Sequence, residues 1–112
     1  MTLPPPPAQP ECTAPGGHNP PAGARLHYAL AVDAWARGDL ARARTEVAVA
    51  RLLDPGSAWL RMAEGRIAAD QGDRPGARQA LEEALSMDPD LGEAREALEE
   101  LGVQASDERG GR

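Results

Sequence analysis

The sequence predicts an all-α fold, and three observations carry that prediction. Between residues 24 and 103 alanine is abundant, β-branched residues are few, and no stretch alternates with period two. Four breaks divide this stretch, at Arg37-Gly38-Asp39, Asp54-Pro55-Gly56-Ser57, Gln71-Gly72-Asp73 and Asp88-Pro89-Asp90. The chain also matches itself when displaced by 34 residues.

The elements follow in order. Residues 1–23 hold eight of the eleven prolines, including Pro4 to Pro7. Proline fixes φ and removes a donor, so this segment is expected to be a disordered Pro/Gly-rich tail or linker. Its plain use is as a spacer. Its sharper use, as a Pro-rich ligand, lacks a flanking basic anchor.

The breaks then delimit helices at approximately 24–37, 40–53, 57–71, 74–87 and 91–102. Glycine suits the left-handed residue that ends a helix, and Asp or Ser offers an oxygen to the free N–H groups of the next. Asp90 and Glu93 have the spacing of a capping box. Residues 104–112 are expected to be a second disordered tail.

Each helix carries one apolar face. It is formed by Leu26, Ala29, Leu30 and Ala34 in the first, and by Ala43, Val47, Ala50 and Leu53 in the second. Leu60, Ala63 and Ile67 continue it in the third, Ala77, Leu81, Ala84 and Leu85 in the fourth, and Ala94, Ala97, Leu98 and Leu101 in the last. Amphipathic helices of this kind must bury one side against a neighbour.

Composition bounds the function. Twelve Arg, no Lys and eighteen acidic residues give a net charge of −6 over 112 residues. An acidic chain of this kind argues against a general nucleic-acid partner, which requires a basic stripe. No apolar run approaches the ~20 residues of a membrane span, so no direct membrane insertion is expected. Cys12 is the lone cysteine, and His18 and His27 lack the spacing of a metal pair, so neither a disulfide within the chain nor a metal is expected.

The residues before Ala24 show no secretory signal, and the chain as given reads as soluble, with a cytoplasmic location favoured. A Pro-rich leader before a compact domain also fits a periplasmic or envelope-tethered protein whose signal has been removed. High Arg and Ala without Lys point to a bacterial source with a GC-rich genome. No nucleophile–base–acid set or Gly-rich phosphate loop stands out, so the expectation is a non-enzyme without cofactors.

The self-match pairs residues 24–57 with residues 58–91 at eleven of 34 positions. Both Gly-Asp turns align (Gly38-Asp39 with Gly72-Asp73), as do both Asp-Pro turns (Asp54-Pro55 with Asp88-Pro89). Alanine richness alone does not align the turns.

With Ala31 and Gly65 late in the first helix of each unit, Ala43, Val47, Ala50 and Ala77, Leu81, Ala84 in the second, and closing Pro55 and Pro89, the pattern resembles the tetratricopeptide repeat (TPR) family. The resemblance implies a helical-hairpin solenoid of two repeats, 24–57 and 58–91, with a capping helix at 91–102, in a domain spanning 24–103. The sequence departs from the family at His27 and Arg61, where a large aromatic is usual, at Glu64, where Leu is usual, and at Ala34 and Ala68, where Tyr is usual.

The resemblance also implies a function. In the family the first helix of each hairpin lines a concave face that holds a peptide or a partner helix. The positions that line it correspond here to Arg25, Tyr28, Val32 and Trp35, then Trp59, Met62, Arg66 and Ala69, then Glu93, Glu96, Glu100 and Val103. Arg25, Tyr28, Val32, Trp35, Trp59, Met62 and Arg66 are therefore the expected partner-binding residues, with Tyr28, Trp35, Trp59 and Met62 as apolar anchors and Arg25 and Arg66 pairing with acidic groups or a carboxylate. Trp, Tyr and Arg are enriched at binding hot spots.

Glu93, Glu96 and Glu100 form an acidic rim that reads either as a solvating end or as a selector of basic partners. The family's carboxylate clamp is not expected, because Tyr28 and Val32 stand where two of its polar residues would be. The expected function is a non-catalytic protein–protein interaction module, an adaptor or scaffold. Alternatives stay open: Tyr28, Trp35 and Trp59 merely fill space between helices, the aromatic surface closes a homodimer, or the chain is a terminal fragment of a longer TPR scaffold tethered at the cell envelope.

Overall fold

Five helices form among the described residues: α1 (Ala22–Ala36), α2 (Leu40–Leu53), α3 (Ala58–Asp70), α4 (Arg74–Met87) and α5 (Gly92–Gly110). They belong to a computed structural model that describes residues 20–110, with side chains for residues 20–102. Residues 1–19, most of the expected Pro/Gly-rich tail, lie outside the described residues. α1 packs on α2 and α3 on α4; α2 also borders α3, α4 borders α5, and α3 meets α5 more lightly. The fold is all-α, with consecutive helices packed as pairs.

The 34-residue repeat is visible atom by atom at the turns. Gly38 and Gly72 take φ of 82° and 85°, a region that a side chain makes costly. Asp39 N–H donates to Ala34 O at 2.8 Å, and Asp73 N–H donates to Ala68 O at 2.9 Å. These bonds close the left-handed C-terminal cap of α1 and α3. The same two aspartates then start the next helix. Asp39 Oδ1 accepts from Arg42 N–H at 3.2 Å, and Asp73 Oδ1 from Gly76 N–H at 3.0 Å. At the start of α3, Ser57 Oγ accepts from Leu60 N–H at 3.2 Å.

Three expectations are corrected. α1 begins at Ala22, because Pro21 occupies the N-cap and its carbonyl accepts from Arg25 N–H at 3.1 Å. Asp90 does not cap α5: Leu91 O accepts from Ala94 and Arg95 N–H, while Asp90 N–H donates to Asp88 Oδ1 at 3.1 Å. The last helix also continues to Gly110, through residues read as a frayed tail. The reason lies in the repeat register, where the position matching Gly38 and Gly72 is Ser106. Without glycine there, the left-handed turn is disfavoured and the helix runs on.

Small residues bring the paired helices close. One cluster joins Ala31, Ala34 and Trp35 to Ala43, Val47, Ala63 and Ile67. A second joins Met62 and Ala68 to Ala77, Leu81, Ala84, Ala94 and Leu101. The expected faces of α2, α3 and α4 are buried largely as read, although Leu53 is exposed. In α1 the buried face is Ala24, Ala31, Ala34 and Trp35, whereas Leu26 and Ala29 are exposed and Leu30 is half-buried. Among the described residues Leu26 is 58 % exposed, while its 34-residue counterpart Leu60 is at 1 %.

Three of the departures from the resembled pattern, His27, Arg61 and Glu64, are absorbed by charge. His27 Nδ1 lies 2.8 Å from Glu46 Oε1, joining α1 to α2. Glu64 is held by Arg51 Nη1 at 2.8 Å and by Arg61, and Arg61 Nε also reaches Glu83 Oε1 at 2.6 Å. A chain of alternating charges thus crosses α2, α3 and α4 through Arg51, Glu64, Arg61 and Glu83. Glu83 holds the Arg61 guanidinium above its usual range, against an opposing effect of burial, with Glu64 adding to it.

Candidate functional site

The first, third and fifth helices share one face, and the aromatic residues tie it together. Trp59 Nε1–H donates to the Tyr28 hydroxyl at 3.0 Å, linking α3 to α1. Trp35 Nε1–H donates to Asp70 Oδ2 at 2.7 Å, linking the same two helices in the opposite sense. A buried indole or phenol needs such a polar partner, and here each supplies a tie between the two helix pairs. The Arg66 guanidinium lies over the Trp35 ring, 5.5 Å from its centroid, within cation–π range.

Beside this seam is a cleft of about 210 Å³, lined by Trp35, Arg66, Ala69, Asp70, Ala97, Glu100 and Leu101. Every lining residue comes from α1, α3 or α5. Trp35 forms the floor, since it is only 2 % exposed. Ala69, Ala97 and Leu101 supply apolar wall, and Arg66, Asp70 and Glu100 supply charge. Among the described residues, no group of three or more His, Cys, Asp or Glu is placed to hold a metal ion, and no helix is long and apolar enough to cross a membrane.

The expected partner-binding residues are placed differently from one another. Tyr28 and Trp59 are half-buried and bonded together, Arg66 is half-buried over Trp35, and Val32 is half-buried on α1. Arg25 is exposed near the start of α1. Trp35 and Met62 are interior, and Met62 belongs to the cluster closed by α5. Of the acidic rim, Glu100 lines the cleft, Glu93 acts on the Tyr28 hydroxyl through its charge, and Glu96 is exposed. The side chain of Val103 lies outside the described residues.

Burial pushes the Tyr28 hydroxyl above its ordinary range. The Trp59 hydrogen bond and the Arg66 charge pull it down, and Glu93 pushes it up. Sequence reasoning missed Asp70 as a site residue, together with Ala97 and Leu101. A signal for Asp70 existed, because it stands four residues after Arg66 and so on the same helical face.

Compared with protein-family models, with curated proteins and with solved structures, the chain matches none. Fold and site together describe an all-α protein of paired helices, with a mixed apolar and charged cleft on the face shared by alternate helices.

Proposed function

We propose that the chain is a non-catalytic interaction module of TPR type, which binds a segment of another protein along the face of α1, α3 and α5. The observation that carries this reading is the origin of the cleft: all seven lining residues come from these three alternate helices. A repeating helix pair presents one helix to each side of the stack, so a cleft confined to α1, α3 and α5 belongs to a continuous surface. The exposed ends of that surface carry Arg25 and Glu96, and its middle carries Tyr28, Trp59 and Arg66.

The rings contribute in two ways. Trp35 and Met62 set the shape of the surface from inside. Tyr28, Trp59 and Val32 are half-buried, so a partner can cover what remains of them. The reading is tested with a photo-reactive side chain introduced at Glu100 or Val32, and, as a control, at the exposed Gln79 of α4. Partner adducts are expected from the first two positions and not from the third. Equal adducts from all three would remove the assignment of this face.

A further inference from the structure

The segment that this face binds can be described by charge, and the inference rests on the interaction reading above. We propose that the cleft seats a cationic side chain, Arg or Lys, of a basic partner segment between the carboxylates of Asp70 and Glu100.

Away from the cleft, Glu46, Glu64, Asp73 and Glu83 each meet an Arg or His side chain: Glu46 meets His27 and Arg42, Glu64 meets Arg51 and Arg61, Asp73 meets Arg44, and Glu83 meets Arg61. Among the described residues, Asp70 and Glu100 make no ion pair, as Glu82, Asp90 and Glu99 outside the cleft also do not, but they are the two carboxylates that line the cleft. Asp70 is exposed and accepts a hydrogen bond from the neutral Trp35 indole, with Arg66 one turn earlier on the same helix as the cation of the lining. Glu100 is exposed at the cleft wall.

Arg66 is the one cation among the lining residues, and it is held over the Trp35 ring. The lining therefore sums to one positive and two negative charges. Glu96 and Glu93 extend the negative side by one and two further turns of α5, because residues three and four apart share a helix face. A guest carrying one positive charge balances the cleft. A guest carboxylate would meet Arg66 but also both unpaired carboxylates, an arrangement that costs affinity. The apolar part of an Arg or Lys side chain has its own match in the half-buried Ala69 and Ala97, since such stems pack on apolar surface while the charged head stays polar.

The test uses the full chain and a display library of random peptides as the probe. Enriched peptides are expected to be rich in Arg or Lys. Their affinity for the double variant Asp70→Asn, Glu100→Gln is expected to fall about tenfold or more, with a weaker dependence on salt. Asn at position 70 keeps an acceptor for Trp35 Nε1–H, and Gln at position 100 replaces an exposed residue, so unchanged helicity by circular dichroism is expected. Arg66→Gln is expected to tighten binding of the same peptides.

Neutral or acidic peptides that still cross-link to a photo-reactive group at Val32 would overturn the cationic guest and leave the interaction face in place. So would basic peptides bound equally well by the double variant. Peptides that bind without cross-linking at Val32, or a library that yields no binder, would overturn both.

Discussion

A Cβ placed on Gly65 would lie 2.8 Å from Leu81 Cγ, and 3.1 Å from the carbonyl oxygen of Ala77. One repeat earlier the same two positions are Ala31 and Val47, both buried in a single cluster. The α1–α2 pair thus joins Ala to Val, and the α3–α4 pair joins Gly to Leu: a methyl group lost from one helix is balanced by a larger side chain on the other. Gly65→Ala is expected to destabilise the fold. Overpacking of about 1–3 kcal/mol exceeds the roughly 1 kcal/mol that alanine gains over glycine in a helix. Adding Leu81→Val should recover most of the loss, since it recreates the α1–α2 combination. Denaturant unfolding of the two single variants and the double variant checks this, and additive losses would show that the positions do not share space.

The duplicated turns give a second prediction. Gly72→Ala forces a side chain into a left-handed conformation and should cost about 1–2 kcal/mol. Asp73→Ala removes the cap of α4 and should lower the unfolding midpoint. Both are read by urea or thermal unfolding.

Asp73 also carries a pH signature. The Gly76 N–H, and after it Arg44, hold its carboxyl below the usual carboxylate range. A carboxyl depressed in the folded state contributes stability that is present above its unfolded value and lost as pH falls through the folded one. Asp73→Asn is therefore expected to flatten the acid limb of the stability–pH curve below about pH 4. An unchanged acid limb would contradict the assigned contacts.

The two tryptophans should be separable by fluorescence. Trp35 is 2 % exposed and Trp59 is half-buried. Trp59→Phe leaves Trp35 alone, and its emission is expected to lie to the blue of wild type and to resist acrylamide quenching. Red-shifted, readily quenched emission from that variant would show that Trp35 is open to solvent.

Tyr28 is the single tyrosine of the chain, so tyrosinate absorbance reports it alone. Its midpoint is expected above the ordinary value of about 10, because burial disfavours the charged form. Arg66→Gln should raise the midpoint further by removing a favourable charge. The stability linked to this raised group is present below the unfolded value and is lost as pH rises through the folded one.

Much of the architecture was legible because the helix ends are written in local chemistry. Gly38, Gly72, Asp39, Asp73 and Ser57 act through bonds spanning a few residues, and periodic apolar positions mark the faces between them. The face shared by alternate helices was named only through the family resemblance, not by the 34-residue alignment itself. What was not legible depends on contacts distant in sequence. The burial of Met62 requires knowing where α5 docks. The exposure of Leu26 requires knowing that no neighbouring pair covers it among the described residues. Glu64 reads as a misfit on an apolar stripe until Arg51 and Arg61 converge on it. Asp70 reads as solvated surface until the Trp35 indole is seen to point at it.

The two indole hydrogen bonds run in opposite directions between the same pair of helices, one ring reaching forward and the other back. Each supplies what the other lacks, so sliding either rod along its axis would stretch one bond or the other. α1 and α3 are thereby held in register at both ends, and the face they share keeps a fixed spacing.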